Sequence, residues 1–215
     1  MHYVWVGGNL PDRVLQLIKH NRQYTSDYEI KLWTDDNLPE LNKFAKDAAK
    51  KKNWAFVSDY VRFIALRQFG GIYLDTDQKL LKRLDDLHDL KFFAGWNRER
   101  TYIYTGIIGC VPRLDLVDDI IQGYETLEYD IKHSSPTILT KCYHNGERDY
   151  KFKVFNYTYF YPVSAGEKNE GKIFPHTYAT HLWDESWVKF VRLRRCLRFF
   201  GFIKVYHAFL NKIDK

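Results

Sequence analysis

A chain of 215 residues, 45% hydrophobic and 17% aromatic, is long enough to bury a core as one larger domain and excludes disorder or fibrous repeats as its main theme. No run approaches the roughly 20 apolar residues that span a bilayer, and MHYVWVGGNLPDRV has neither the basic opening nor the apolar length of a signal peptide. The net charge of +6 resides at one end: residues 189–215 carry eight Lys and Arg against Asp214 alone, while the remaining 188 residues sum to −1, so no nucleic-acid partner is expected for the body. The three cysteines, Cys110, Cys142 and Cys196, lack any CxxC or Cys/His metal spacing. Buried free thiols in a reducing cytoplasm fit them best.

In chain order, HYVWVGG reads as a strand that breaks at Gly7-Gly8. Pro11 then suits a helix's first turn, with Val14, Leu17 and Ile18 at helical spacing behind it. YEIKLWTDDN predicts a second strand, and an Ala/Lys-rich helix follows over about 39–51. FVSDYVRFIALRQFGG predicts a helix with a stripe of Val57, Val61, Ile64, Ala65 and Gln68, stopped by Gly70. IYLDTD is a short buried strand, and KFFAGW and YIYTGIIGCV are strands joined by a tip rich in Arg and Asn. Helices are expected over about 115–127 and at SPTILTKCY, with Pro136 near its start, and strands in the aromatic YKFKVFNYTYFYPV. The alternation argues for an α/β fold with a mostly parallel sheet and helices on both faces. In such sheets ligands gather at the carboxyl ends of strands.

Asp75 and Asp77 stand at such an end, after Gly70-Gly71-Ile72-Tyr73-Leu74. If the extended conformation persists, both carboxylates point to one side and converge on a hard cation. A D-x-D at a strand end is also compatible with a solvated turn. Upstream, Asp59 and Arg62 are three apart on one helical face, as a surface ion pair or as a wall of the same crevice.

AFVSDYVRFIALRQFGGIYLDTD, together with HYVWVGG and HLWDESW, resembles the DXD-containing sugar transferases of glycosyltransferase family 32 over residues 2 to about 187. That group includes capsular and exopolysaccharide enzymes and is related to the glucosyltransferase domains of large clostridial toxins. The resemblance implies a GT-A fold, a retaining transfer, and a nucleotide-sugar donor, a UDP-hexose, held through Mn2+ or Mg2+. It implies Asp77 as a metal ligand, Asp75 on the ribose and metal side, and His181 within reach of the metal. Asp59 and Arg62 would hold hydroxyls of the donor sugar, with Ser58 and Tyr73 near the nucleotide. Val4, Trp5 and Val6 would form the base-binding edge, and Ser186 and Trp187 would close over the diphosphate. Trp183 reads as packing. Where many relatives carry Asn, this chain has Thr105 before Gly106, and Thr105, Asn97 and Arg98 are the candidates for contact with a saccharide acceptor.

The division expected is a transferase domain over 1–188 and a basic tail over 189–215. In the tail, Leu193, Cys196, Leu197, Phe200 and Ile203 share one helical face and Arg194, Arg195 and Arg198 lie mostly on another. Two readings stand: a helix pair on an anionic membrane surface serving a lipid-linked acceptor, or a helix packed on the domain. For the whole chain, the alternatives are a non-catalytic, metal-dependent saccharide-binding protein at the membrane and a haloacid-dehalogenase-type phosphatase. The phosphatase pattern is broken at Lys79.

Overall fold

The computed structural model describes residues 1–167 and 172–184. Strand β1 (His2–Val4) leads into helix α1 (Asp12–Arg22), and β2 (Lys31–Trp33) is followed by α2 (Lys43–Lys50) and α3 (Trp54–Phe69). Then come β3 (Gly71–Leu74), β4 (Gln78–Leu80), β5 (Phe92–Trp96) and β6 (Ile103–Cys110). Helices α4 (Asp115–Thr126) and α5 (Ser135–His144) precede β7 (Phe152–Phe155) and β8 (Ala179–His181).

Six of these strands form one sheet in the order β2-β1-β3-β6-β5-β7. The pairs β1/β2, β1/β3 and β5/β7 are parallel, and β6 runs antiparallel to both β3 and β5. Strand alternation sends Val4, Tyr73, Phe92 and Ile108 to a core beneath α2, α3, α4 and α5. Their neighbours Tyr3, Leu74, Phe93 and Ile107 go to the opposite face, where they meet Leu80, Leu84 and Phe160. Each large apolar side chain so buried stabilises the fold by roughly 1.5–3 kcal/mol. No helix among the described residues is long and apolar enough to cross a membrane.

Three local expectations change. Helix α2 begins at Lys43 because Asn42 Oδ1 accepts from Ala45 N and caps it there. Helix α3 is not striped on one side: Val57, Asp59, Tyr60, Val61, Arg62, Phe63, Ala65 and Leu66 are all buried, while Gln68 is exposed. It lies between the sheet and three other helices, so its middle has little solvent face. The second half of YKFKVFNYTYFYPV leaves the sheet after Phe155, since Asn156 Oδ1 accepts from Thr158 N and starts a short 3-10 turn.

The stop at Gly70 is borne out. Gly70 has φ 61°, its N–H reaches Leu66 O at 2.8 Å, and a Cβ there would stand 2.5 Å from Pro112 N. Helix α3 is thereby turned straight into β3, which fixes where the carboxylates emerge.

Strand β1 carries a buried histidine that makes the fold acid-sensitive. His2 Nε2 donates to Gly70 O at 3.0 Å, and Nδ1 accepts from Trp33 Nε1 at 3.4 Å, so a proton on Nδ1 would face another donor. Burial first, then the positive charges of the chain's amino group and Lys31, lower the His2 pKa from 6.5 to about 4. Because the folded pKa lies below the unfolded one, this stability is present above pH 6.5 and is lost as pH falls toward 4. The loss is roughly 3 kcal/mol at 1.36 kcal/mol per unit. Urea unfolding at pH 7 and pH 4.5 should show a smaller acid loss in His2→Gln than in the parent; an equal loss in both would refute this role.

Candidate functional site

The site lies at the carboxyl ends of β1 and β3. Asp75 and Asp77 do not sit on an extended strand: β3 ends at Leu74, and Gln78 N donates to Asp75 O at 2.9 Å to close a turn. The turn, rather than strand alternation, brings the two carboxylates together. Pairing of β4 with β8 sets Gln78 opposite His181 and places the imidazole beside them. One donor atom from each of Asp75, Asp77 and His181 lies within 4.8 Å of the other two. His181 Nε2 is 3.2 Å from Asp77 Oδ1 and 3.7 Å from Asp75 Oδ2.

A second polar group forms the adjoining wall. Arg62 Nη2 reaches Asp59 Oδ1 at 2.7 Å and Nη1 reaches Asp75 Oδ1 at 3.3 Å, so the pair is buried rather than on the surface. Arg62 Nη1 also donates to Thr105 O at 2.9 Å and Thr105 Oγ1 at 3.1 Å. Ser135 Oγ donates to Asp59 Oδ1 at 2.6 Å, which leaves Thr105 Oγ1 as donor to Ser135 Oγ at 2.8 Å. Ser135 N, at the start of α5, completes the set on Asp59 Oδ2 at 3.1 Å. On the other side Tyr73 OH donates to Asp75 Oδ1 at 2.6 Å, and Ser58 Oγ lies 3.2 Å from that hydroxyl.

These contacts set the charges. Burial opposes ionisation of Asp75, but Arg62, His181 and Tyr73 overcome it and bring its pKa to about 2. Burial raises Asp77, with His181 pulling down and Asp75 pushing up. Burial lowers His181, yet the carboxylates of Asp77 and Asp75 outweigh it and leave its pKa above 6.5. Burial raises Asp59 against the pull of Arg62 and Ser135. The carboxylate pair therefore favours a proton on His181, as it would favour a cation.

The donor set fits such a cation. Two carboxylates suit Mg2+ and Mn2+, and the imidazole favours the transition ion of the two. Packing around the set is close: a Cβ on Gly106 would lie 3.0 Å from Asp75 Oδ2 and 3.1 Å from His181 Cδ2. Gly106→Ala should therefore displace both ligands and weaken Mn2+ binding about tenfold, a loss typical of a disturbed ligand environment. Calorimetric titration with Mn2+ checks this, and unchanged affinity would refute the crowding.

All of these groups open on one cleft of about 560 Å³. Val4, Trp5, Val6, Ser58, Asp59, Arg62, Tyr73, Asp75, Asp77, Thr105 and His181 line it together. Asn97 and Arg98 do not. Asn97 is buried within its own loop, where Oδ1 accepts from Thr101 N and Tyr102 N, and Arg98 pairs with Glu167. Those two acceptor candidates stand outside the cleft. Ser186, Trp187 and the tail 189–215 lie outside the described residues.

The cleft also holds residues the motifs did not single out. Trp54 and Ser135 line it, and so does Trp183, read from sequence as packing, whose ring centroid is 4.3 Å from that of His181. Arg13 lines it while paired with Asp184, and Asp184 N donates to Asp77 Oδ2 at 2.9 Å. A serine before Pro136 at a helix start was the available signal for Ser135.

Comparison with known proteins agrees with this geometry. Residues 11–93, which include α3 and both carboxylates, match the family described as glycosyltransferase sugar-binding region containing DXD motif. The chain is 23% identical over 219 residues to an uncharacterized glycosyltransferase of Acanthamoeba polyphaga mimivirus, covering 93% of this chain and 86% of the relative. It is 26% identical over 187 residues to inositol phosphoceramide mannosyltransferase 2 of Schizosaccharomyces pombe, covering 68% of this chain and about half, 51%, of the yeast protein. Among solved structures, the PaToxG glycosyltransferase superposes with a TM-score of 0.52 at 15% identity over 67% of each chain. The fold is GT-A. The sequence matches support a glycosyltransferase-type function for the chain.

Proposed function

We propose that this chain is a metal-dependent, retaining glycosyltransferase of the family 32 type that moves a hexose from a uridine diphosphate sugar to a saccharide acceptor. The observation that carries the reading is the joining, in one cleft, of the Asp75/Asp77/His181 donor set and the buried Arg62–Asp59 pair. Val4, Trp5 and Val6 form the edge for the base, with Ser58 and Tyr73 between base and metal side. Asp59 and Arg62 hold the sugar hydroxyls and fix the anomeric carbon toward Thr105, the acceptor-side candidate that remains in the cleft. A bound Mn2+ or Mg2+ supplies charge neutralisation for the departing diphosphate.

Asp59 is not assigned as a nucleophile. Oδ1 accepts from Ser135 and Arg62 and Oδ2 from Ser135 N, so the carboxylate is held as a positioned acceptor. That favours acceptor attack on the face the diphosphate leaves. Relatives come from a virus, a bacterium and a yeast, and the descriptions of these three name no capsule, so a capsular setting receives no separate support from them.

The test is nucleoside diphosphate release from a panel of sugar nucleotides, with Mn2+ and with EDTA, followed by NMR assignment of the product anomer. Metal-dependent release from one donor with retained configuration is expected. No release from any donor would sink the transferase reading, and an inverted product would sink retention alone. For the tail we propose contact with anionic lipid: removing 189–215 should abolish sedimentation with phosphatidylserine vesicles, and unchanged sedimentation would refute it.

A further inference from the structure

A buried amide beneath the proposed cation site has one end tied down and the other aimed into the site. Gln78 is fully buried, and its Nε2 donates to Phe160 O at 2.9 Å, which fixes the orientation of the amide. Its Oε1 is also buried and receives no hydrogen bond among the described residues. That oxygen lies 3.3 Å from the point a Cβ would occupy on Gly106, the same point that stands 3.0 Å from Asp75 Oδ2 and 3.1 Å from His181 Cδ2. The backbone of Gln78 is fixed as well: its N–H closes the carboxylate turn, its C=O accepts from Asn21 Nδ2 at 2.9 Å, and β4 pairs it with His181.

A buried carbonyl oxygen without a donor is costly, and such atoms in native folds generally have a purpose. Here the neighbouring groups are the Asp75 carboxylate, which cannot donate to it when ionised, and the Cδ2 edge of the His181 ring, which carries no N–H. What satisfies an amide oxygen in that company is a cation or the water around one. We propose that Gln78 is a positioning residue of the site, supplying a neutral oxygen to the hydrated cation held by Asp75, Asp77 and His181. The inference rests on the cation site proposed above.

Neutrality matters to the reading. Two carboxylates balance a divalent ion, whereas a third would weaken the field that an incoming diphosphate meets. An amide adds an oxygen donor without adding that charge.

The experiment is a Mn2+ titration of the metal-free chain, reading free Mn2+ by EPR, for the parent, Gln78→Met, Gln78→Glu and Asp77→Ala. Gln78→Met should bind Mn2+ about tenfold more weakly, the usual scale for loss of an outer ligand partner. Gln78→Glu should bind at least as tightly as the parent. Both variants lose the donor to Phe160 O, so their difference reads the oxygen together with the charge that Glu adds, and Gln78→Met against the parent reads the loss of the neutral amide. Gln78→Met binding like the parent, or Gln78→Glu binding as weakly as Gln78→Met, would overturn the proposal. Mn2+ uptake by the parent no better than by Asp77→Ala would overturn the cation site itself, and this inference with it. Melting without metal checks folding, and Gln78→Asn, which withdraws the oxygen by one methylene, serves in place of Gln78→Met if that variant does not fold; parent-like Mn2+ affinity in it would likewise overturn the proposal.

Discussion

Asp77→Ala should lower metal-dependent sugar transfer about a hundred- to a thousandfold, the scale of losing one group that stabilises charge in a transition state. The same substitution should leave the metal-free fold nearly intact. Asp77 is a partly buried carboxylate beside Asp75, and its pKa is raised by burial and by that neighbour despite His181. Removing it relieves a like-charge contact while giving up the acceptor for Asp184 N. The melting temperature without metal should stay within about 3 °C of the parent, since about 1 kcal/mol moves a chain of this size by 2–4 °C. The rise in melting temperature on adding Mn2+ should vanish. A variant that keeps its metal-dependent activity would contradict the role given to Asp77.

Arg62→Met acts on stability as well as on the site. The guanidinium is the cation that balances buried Asp59 and partly buried Asp75, and both carboxylates lose it together. Breaking a buried pair from one side costs about 3–5 kcal/mol, which urea unfolding at pH 7 would read directly. The pH dependence should also change sign. In the parent, Asp75 is lowered to about 2, so its contribution is present above the unfolded carboxylate value of 3.8 and is lost as pH falls toward 2. Without Arg62, burial dominates and the folded pKa of Asp75 moves above the unfolded one, so the variant should regain stability as pH drops from 7 toward 4. Parent-like stability at pH 7 would show that the pair is not the balance described here.

The carboxylate strand, its glycine stop and the Asp59/Arg62 face could be read from local pattern because each is set within one continuous stretch, from α3 through Gly70 to β3. What could not be read was how buried that stretch is. Helix α3 has polar residues among its buried positions because Ser135 and Thr105, distant in sequence, satisfy them. The convergence of Asp75 and Asp77 was expected for the wrong local reason, since a turn achieves it. His181 and Trp183 reach the site through pairing of β8 with β4, a long-range register that no local periodicity records. Asn97 and Arg98 looked available because a polar loop tip gives no sign that its side chains bond within the loop or to Glu167.

The central claim is that Asp75, Asp77 and His181 hold a cation facing the cleft in which the donor lies. Anomalous diffraction from crystals grown with Mn2+ and uridine diphosphate tests it most directly. The account expects one manganese peak bonded to these side chains, with the diphosphate on its cleft side and the base at Val4–Val6. A nucleotide bound in the cleft with manganese elsewhere, or none bound at all, would contradict it.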